Sequence, residues 1–190
     1  ETDRRAQTAR FWEDWAASLT PPARAPKLAI RSAATLRGLV YGPTGAILAA
    51  ATTSLPEHLG GVRNWDYRFC WPRDAAIAAR ALLRMGSPAE GMRFLDWFLG
   101  VIEQSASPDR IHPVYTVTGS TLGSEAEIAE LAGYGGSRPV RVGNLAARQI
   151  QLDVLGPVAE LLFDLAHNGA PLSSEHWRLA EAMAHAIISR

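Results

Sequence analysis

Residues 64–86 read NWDYRFCWPRDAAIAARALLRMG, and the character of the chain changes in the middle of that stretch. The first eleven positions hold two tryptophans, a tyrosine, a phenylalanine, two arginines and two aspartates, with no period that suits a helix or a strand. From Asp74 onward Ile77, Ala78, Ala81 and Leu82 recur three and four apart, which predicts a helix. Asp74 is placed to cap it, and Gly86 to close it in the left-handed conformation that glycine adopts cheaply. A loop crowded with aromatic rings and forked charges thus opens directly into a helix.

Working outward, helical periodicity dominates. Ser87 reads as the next cap, with Pro88 at the first helical position and Glu90 completing a capping box; Met92, Leu95, Phe98, Leu99 and Ile102 form the stripe. Upstream, Thr8, Phe11, Trp12, Trp15 and Leu19 share one face of a helix that must stop before Pro21 and Pro22. A second helix over 28–39 precedes the turn YGPTG, and AILAAATTS suits a short strand or an extended run. Residues 55–73 form a long loop, and long ordered loops are often functional. A second loop region, 105–143, contains GYGGSRPVRVGN and an acidic helical turn near Glu125, Glu127 and Glu130. A helix from about Asn144 to His167, kinked at Gly156 and Pro157, and a last one from about Ser174 complete the reading. With no strand set large enough for a sheet core, the fold class is all-α, with tight turns and long loops alternating so that the long loops gather at one end.

Composition narrows the function. At 190 residues and 47% hydrophobic content the chain holds one sizeable core. Nineteen basic residues balance nineteen acidic ones, so no net positive field favours nucleic acid or a membrane surface. The single cysteine, Cys70, excludes an internal disulfide, and no apolar run approaches the roughly 20 residues of a membrane span. With no signal pattern visible, the expected location is the cytoplasm. The opening Glu1, without a Met, reads as the start of an excised or processed piece.

Several chemistries lack their residues. His58, His112, His167, His176 and His185 are scattered without metal-ligand spacing, the glycine-rich segment lacks the Lys-Ser/Thr ending of a phosphate loop, and no G-x-S-x-G occurs. No metal or other cofactor is expected. Carbohydrate recognition remains: a pyranose offers apolar C–H faces to aromatic rings and paired hydroxyls to an arginine fork or a carboxylate. Trp65, Tyr67, Trp71, Asp66, Arg68, Arg73 and Asp74 supply both kinds of group. On residue chemistry alone the alternative stays open that Trp65 and Trp71 are core while Arg73 and Asp74 form an internal ion pair and a cap.

The segments RNWDYRFCWPRDAAIAARALLRMG, GYGGSRPVRVGN and QLDVLG, preceded by YGPTGAILAAATTSLPE, occur in that order, and together they resemble glycoside hydrolase family 15, the glucoamylase-like and trehalase-like enzymes. The resemblance implies an (α/α)6 toroid, here incomplete, whose loops at one end hold the non-reducing glucose. It implies inverting hydrolysis of terminal α-glucosidic bonds by a general acid and a general base about 6.5–9.5 Å apart. By position in the motif, Tyr67 resembles the tyrosine beneath the glucose, Trp71 a wall aromatic, and Arg73 with Asp74 the pair on its hydroxyls; Trp65, Arg138 and Arg141 are rim residues. Residues 1–190 then form the N-terminal portion of one catalytic domain, with residues 1–27 a linker helix before it.

Two departures matter. Gly135 and Gly136 stand where fungal glucoamylases carry a tryptophan before the segment matching RPVR, so the platform for the next sugar is not carried over. The family's general acid follows a tryptophan beyond the helix ending near Arg190, and the base lies further on. The expectation is therefore half a sugar pocket, inert alone, completed by the C-terminal part of the domain or a partner chain. Glu125, Glu127 and Glu130 read as a solvated acidic face. The competing class is a non-catalytic sugar-binding or interaction module on the same helices.

Overall fold

The computed structural model describes residues 2–105, 111–151 and 153–188, with six α-helices and four very short strands. The helices are α1 (Thr2–Ser18), α2 (Pro26–Gly38), α3 (Pro72–Arg84), α4 (Pro88–Gln104), α5 (Leu155–His167) and α6 (Ser174–Ile188). The strands are β1 (Thr53–Pro56), β2 (Asn64–Asp66), β3 (Ala126–Glu127) and β4 (Arg141–Val142). β1 pairs antiparallel with β2 and β3 with β4, as two separate ribbons. The all-α expectation holds; β1 begins at the end of the AILAAATTS run, and the other strands lie within the two long loops.

Helices α3 with α4 and α5 with α6 form two αα-hairpins stacked side by side, α3 on α5 and α4 on α6. The arrangement is that of a six-hairpin toroid seen in part. Their interface is the main core: Ala76, Ala79, Phe94, Leu95, Phe98, Val101, Val158, Leu161, Leu165, Leu179 and Met183 are buried. Charged ties run along it in the same order on both helices, Arg73 to Asp153 before α5 and Arg80 to Glu160 and Asp164 further on. Helices α3 and α5 therefore run parallel, and the loops that enter them meet at one end.

Local chemistry explains the boundaries. Helix α3 begins at Pro72 after Trp71, a residue type at home in the first turn because its missing N–H is not needed there. The expectation that Asp74 caps it fails: the helix starts earlier and places Asp74 in its first turn. At the other end Gly86 has φ 84°, its N–H reaches Leu83 O, and Ser87 N–H reaches Leu82 O, the double closure expected of a glycine stop. That closure uses the Ser87 N–H, so the expected capping box on α4 does not form. Ser87 Oγ instead donates to Glu90 Oε2 at 2.6 Å and accepts from Trp15 Nε1 at 3.1 Å, while Glu90 Oε1 lies 3.3 Å from Arg37. The Arg37 guanidinium stacks over Phe11 and Trp15 at 4.7 and 4.5 Å. This junction fastens α1 and α2 to α4, and Trp15, Leu19, Ala33 and Leu82 form a second, smaller core beneath it.

A different box caps α6. His176 N–H donates to Ser173 Oγ, Ser173 N–H donates to His176 Nδ1 at 3.1 Å, and Nε2 is thereby left to donate to Asp96 Oδ1 at 3.0 Å. The buried histidine closes the start of α6 and ties it to α4.

Other expectations need correcting. The stripe on α4 is wider than read, since Phe94, Trp97 and Val101 are also buried. The helix expected over 144–167 begins only at Leu155; Leu145–Arg148 is a 3₁₀ turn capped by Asn144, whose Oδ1 accepts from Ala146 N–H. The kink placed at Gly156 and Pro157 vanishes because Pro157 sits in the first turn, where it fits. The acidic segment at 125–130 contains β3 rather than a helical turn. Residues 106–110 of the second loop, Leu152 of the QLDVLG segment and the end near Arg190 lie outside the described residues.

Leu161 is fully buried on α5 beside Gly91 of α4. Leu161→Ala should cost about 3 kcal/mol, the transfer term plus an incompletely collapsed cavity. Urea unfolding of the complete protein checks this; a cost below about 1 kcal/mol would mean that the two hairpins do not share one packed core.

Candidate functional site

The aromatic loop is built on a buried carboxylate. Asp66, the last residue of β2, is fully buried; its oxygens accept from Arg68 N–H, Arg68 Nε, Arg68 Nη2 and Gly143 N–H at 2.9–3.1 Å. Its own carbonyl accepts from Asn144 Nδ2 at 3.0 Å. Burial alone would raise the Asp66 pKa, but the hydrogen bonds from Arg68 and Gly143 outweigh it and hold the carboxyl below its ordinary value. Gly143 has φ 83°, and a Cβ there would lie 3.0 Å from Ser124 O, so glycine lets this N–H approach Asp66. Two segments about 80 residues apart in sequence are thereby joined.

The rest of the loop is set by neighbouring contacts. Cys70 exchanges both backbone hydrogen bonds with Tyr115, and Ala49 and Ala50 N–H donate to Phe69 and Tyr67 carbonyls. The Cys70 thiol is buried, and burial pushes its pKa up to about 12, so it is a packing residue. The Tyr67 and Trp71 rings meet at 5.7 Å and 58°. Trp71 is buried, whereas Tyr67 keeps 39% of its surface exposed. Burial, then the Glu57 and Asp74 carboxylates, raise the Tyr67 pKa, which keeps its hydroxyl a donor at neutral pH.

A cavity of about 530 Å³ opens here, lined by Trp65, Tyr67, Trp71, Arg73 and Asp74 from the first loop and by Glu125, Asn144, Leu145, Ala146 and Gln149 from the second. Four residues expected at the core of the site, Tyr67, Trp71, Arg73 and Asp74, are brought together, and Trp65 joins them. Arg73 is not a free fork. Its Nε donates to Asp74 Oδ2, and Nη1 donates to Gln151 Oε1 and Asp153 Oδ2, all at 3.0–3.1 Å. Burial would lower its pKa, but Asp153 and Asp74 raise it. Gln151 in turn donates to Gln149. Arg73 thus orients Asp74, whose half-exposed carboxylate keeps acceptor capacity toward the cavity.

The rim residues divide. Arg138 is exposed and lines, together with Arg141, Val62, Ile128 and Pro139, a cavity other than the one that holds Tyr67 and Asp74. Arg141 lies behind the site: it covers the Trp65 ring at 4.8 Å, donates to the Val62 and Asn64 carbonyls, and pairs with Glu125 and Glu127. Trp65 also donates through Nε1 to Glu57. Sequence reasoning missed Glu125 and Asn144. Glu125, expected on a solvated face, has a side chain only 10% exposed; Asn144, expected to begin a long helix, instead caps a 3₁₀ turn, and its position before a periodic run is the signal for that cap. Among the described residues no cluster of potential metal ligands occurs, and no helix is long and apolar enough to cross a membrane.

Asp66→Asn removes the charge from four aimed donors and should cost about 3 kcal/mol at pH 7. Because the native pKa is lowered, the contribution of Asp66 is complete above its unfolded value near 4 and fades as pH falls through the native value. Denaturation of both proteins from pH 7 to acid should show the difference shrinking below about pH 4; a difference independent of pH would show that the charge is not what matters. Cys70 should resist thiol reagents until the protein unfolds, and rapid native labelling would contradict its burial.

Comparison with known proteins identifies the family. The sequence model of "Glycosyl hydrolases family 15" matches residues 23–190. Trehalase 1 of Sulfolobus acidocaldarius is 49% identical over 132 residues, 70% of this chain and 24% of that protein. The trehalase of Thermoplasma acidophilum is 37% identical over 177 residues, 93% of this chain and 30% of that protein. The trehalase of Mycobacterium tuberculosis is 37% identical over 192 residues, 96% of this chain and 28% of that protein. The chain thus spans less than a third of these relatives. No solved structure matches it significantly. With the family match running from residue 23 to residue 190, through every segment that builds the cavity, the chain belongs to glycoside hydrolase family 15.

Proposed function

We propose that the cavity holds the terminal glucose in an enzyme that hydrolyses α-glucosidic bonds with inversion, and that its substrate is α,α-trehalose. The observation that carries this reading is the joint placement of Tyr67, Trp71 and Asp74 on one cavity of a family-15 chain. Tyr67 and Trp71 offer ring faces for the apolar side of a pyranose, and the Tyr67 hydroxyl a donor. Asp74, held by Arg73, accepts from vicinal hydroxyls, while the first turn of α3 brings its positive end to the same place. Trehalose rather than a longer glucan is favoured because the three relatives described above bear the name trehalase.

The 190 residues act as the N-terminal portion of one (α/α)6 catalytic domain, with α1 preceding it. The general acid and base come from outside them. Both carboxylates in the cavity lining, Asp74 and Glu125, lie against a guanidinium. That setting suits a group that holds a hydroxyl, whereas a general acid needs an apolar surrounding that keeps its proton. An inverting pair would close over the cavity with about 6.5–9.5 Å between carboxyls, leaving room for the attacking water.

Purified complete enzyme assayed on α,α-trehalose, maltose and starch should prefer trehalose, and a preference for starch would overturn the substrate assignment. In that enzyme Asp74→Ala should lower kcat/KM by at least about 30-fold, roughly 2 kcal/mol, because hydrogen bonds to the sugar hydroxyls tighten toward the oxocarbenium-like transition state. A near-normal value would remove the glucose site from this cavity. The isolated 190 residues should give no turnover; measurable hydrolysis by them would place the acid and base inside the chain.

A further inference from the structure

In the reading above Glu125 is a carboxylate of the cavity lining set against a guanidinium, and the rest of its surroundings are as specific. Its side chain is nine-tenths buried, and it sits in the wall shared by the 530 Å³ cavity and a neighbouring one of about 250 Å³ lined by His112, Ser124 and Arg148. Asn144 and Leu145 belong to the same shared wall. Glu125 Oε2 accepts from Leu145 N–H at 3.1 Å, and Oε1 lies 3.3 Å from Arg141 Nε, whose N–H is not aimed at it. A 3₁₀ turn leaves its first N–H groups without an internal acceptor, so the Leu145 N–H depends on Glu125.

The segment that carries Leu145, Ala146 and Gln149 has only one short 3₁₀ turn of its own, so its place is set from outside. Asp66 holds it at Gly143 and Asn144, Arg73 through Gln151 and Asp153, and Glu125 at Leu145. The first two ties lie at the ends of the segment. Within the stretch Glu125 holds the Leu145 N–H, and His112 Nδ1 donates to the Ala147 carbonyl at 3.1 Å; of these two side chains, Glu125 is the one in the wall of the 530 Å³ cavity.

We propose that Glu125 is a positioning residue for the hydrolytic reaction: its carboxylate fixes Leu145–Gln149 against Arg141 of β4 and so sets the part of the glucose pocket that Tyr67, Trp71 and Asp74 do not supply. The proposal rests on the reading of this cavity as the glucose site. A displaced wall leaves the substrate able to bind but seldom in the reactive geometry, and a shift of about 1 Å costs on the order of a hundredfold in rate. Loss of the tie therefore lowers kcat more than it raises KM.

The test uses the complete enzyme with trehalose. Glu125→Ala should lower kcat per folded molecule tenfold or more, with KM changed less than about threefold. Glu125→Gln keeps an acceptor for the Leu145 N–H and should recover most of the lost kcat. Leu145→Pro removes the N–H together with the leucine side chain, at a position where the extended Asn144 (φ −152°, ψ 123°) tolerates a following proline. Compared with Leu145→Ala, which shortens the side chain and keeps the N–H, it should reproduce the kcat loss even if Glu125→Ala does not fold. If Leu145→Pro and Leu145→Ala share the same kcat, or if Glu125→Ala loses melting temperature without losing kcat per folded molecule, the proposal is overturned. Asp74→Ala, measured alongside, separates the two levels. A normal Asp74→Ala value removes the glucose pocket itself, whereas an impaired one beside normal Glu125 and Leu145 variants removes only the role of Glu125.

Discussion

A carboxylate taken fully out of water is costly unless its lone pairs are filled by aimed donors, and Asp66 is filled by four of them. Two elements far apart in the chain supply those donors, Arg68 from the aromatic loop and Gly143 from the second loop. Arg68 gives three of the four from the same loop, and the fourth, from Gly143, is met only when both loops are in place, so filling the last of them also assembles the cavity. Tyr67 follows Asp66 directly and Asn144 follows Gly143, which places residues of the two linings next to the hub. Cys70 and Tyr115 then pin the same loop to a third segment through paired backbone bonds.

The helices contribute by direction. Because α3 and α5 run parallel, the loops leading into them arrive at the same end, and Arg73 at the start of α3 reaches Asp153 just before α5. The Arg80 ties to Glu160 and Asp164 hold that alignment further along. On this rigid pair the pocket side chains sit on or beside helix termini, where backbone geometry is well defined. Several apolar side chains nevertheless face solvent, among them Ile77 on α3 and Phe163 on α5, 54% and 67% exposed.

Much of this was legible in the residues. Gly86 announced a helix stop, Pro88 a helix start, and the three-and-four spacing of α3, α4 and α6 their amphipathic faces, because each signal is local and is decided within one or two turns. The NWDYRFCWPRD motif led to Tyr67, Trp71, Arg73 and Asp74, which do share one cavity. What escaped was decided over long distances. Glu125 in SEAEIAE looks like a surface charge until Arg141 and the Leu145 N–H, 16 and 20 residues later, close around it. Ser87 and Glu90 have capping-box spacing, but the Ser87 N–H is taken by Leu82 O and its hydroxyl by Trp15 and Glu90, a competition that spacing does not encode. Asn144 stood where a helix could begin, yet the regular helix waits until Leu155. Arg138 and Arg141 looked equivalent in SRPVR, and only the short β3–β4 ribbon separates an exposed arginine from one packed behind Trp65.

A crystal structure of the complete enzyme with a non-hydrolysable trehalose analogue tests whether the cavity joined by Asp66 receives the terminal glucose. One glucose ring should lie against Tyr67 and Trp71, with an Asp74 oxygen about 2.7–3.2 Å from its hydroxyls and the Leu145–Gln149 segment in contact with the same ring. A ligand bound elsewhere, with this cavity holding only solvent, would contradict it.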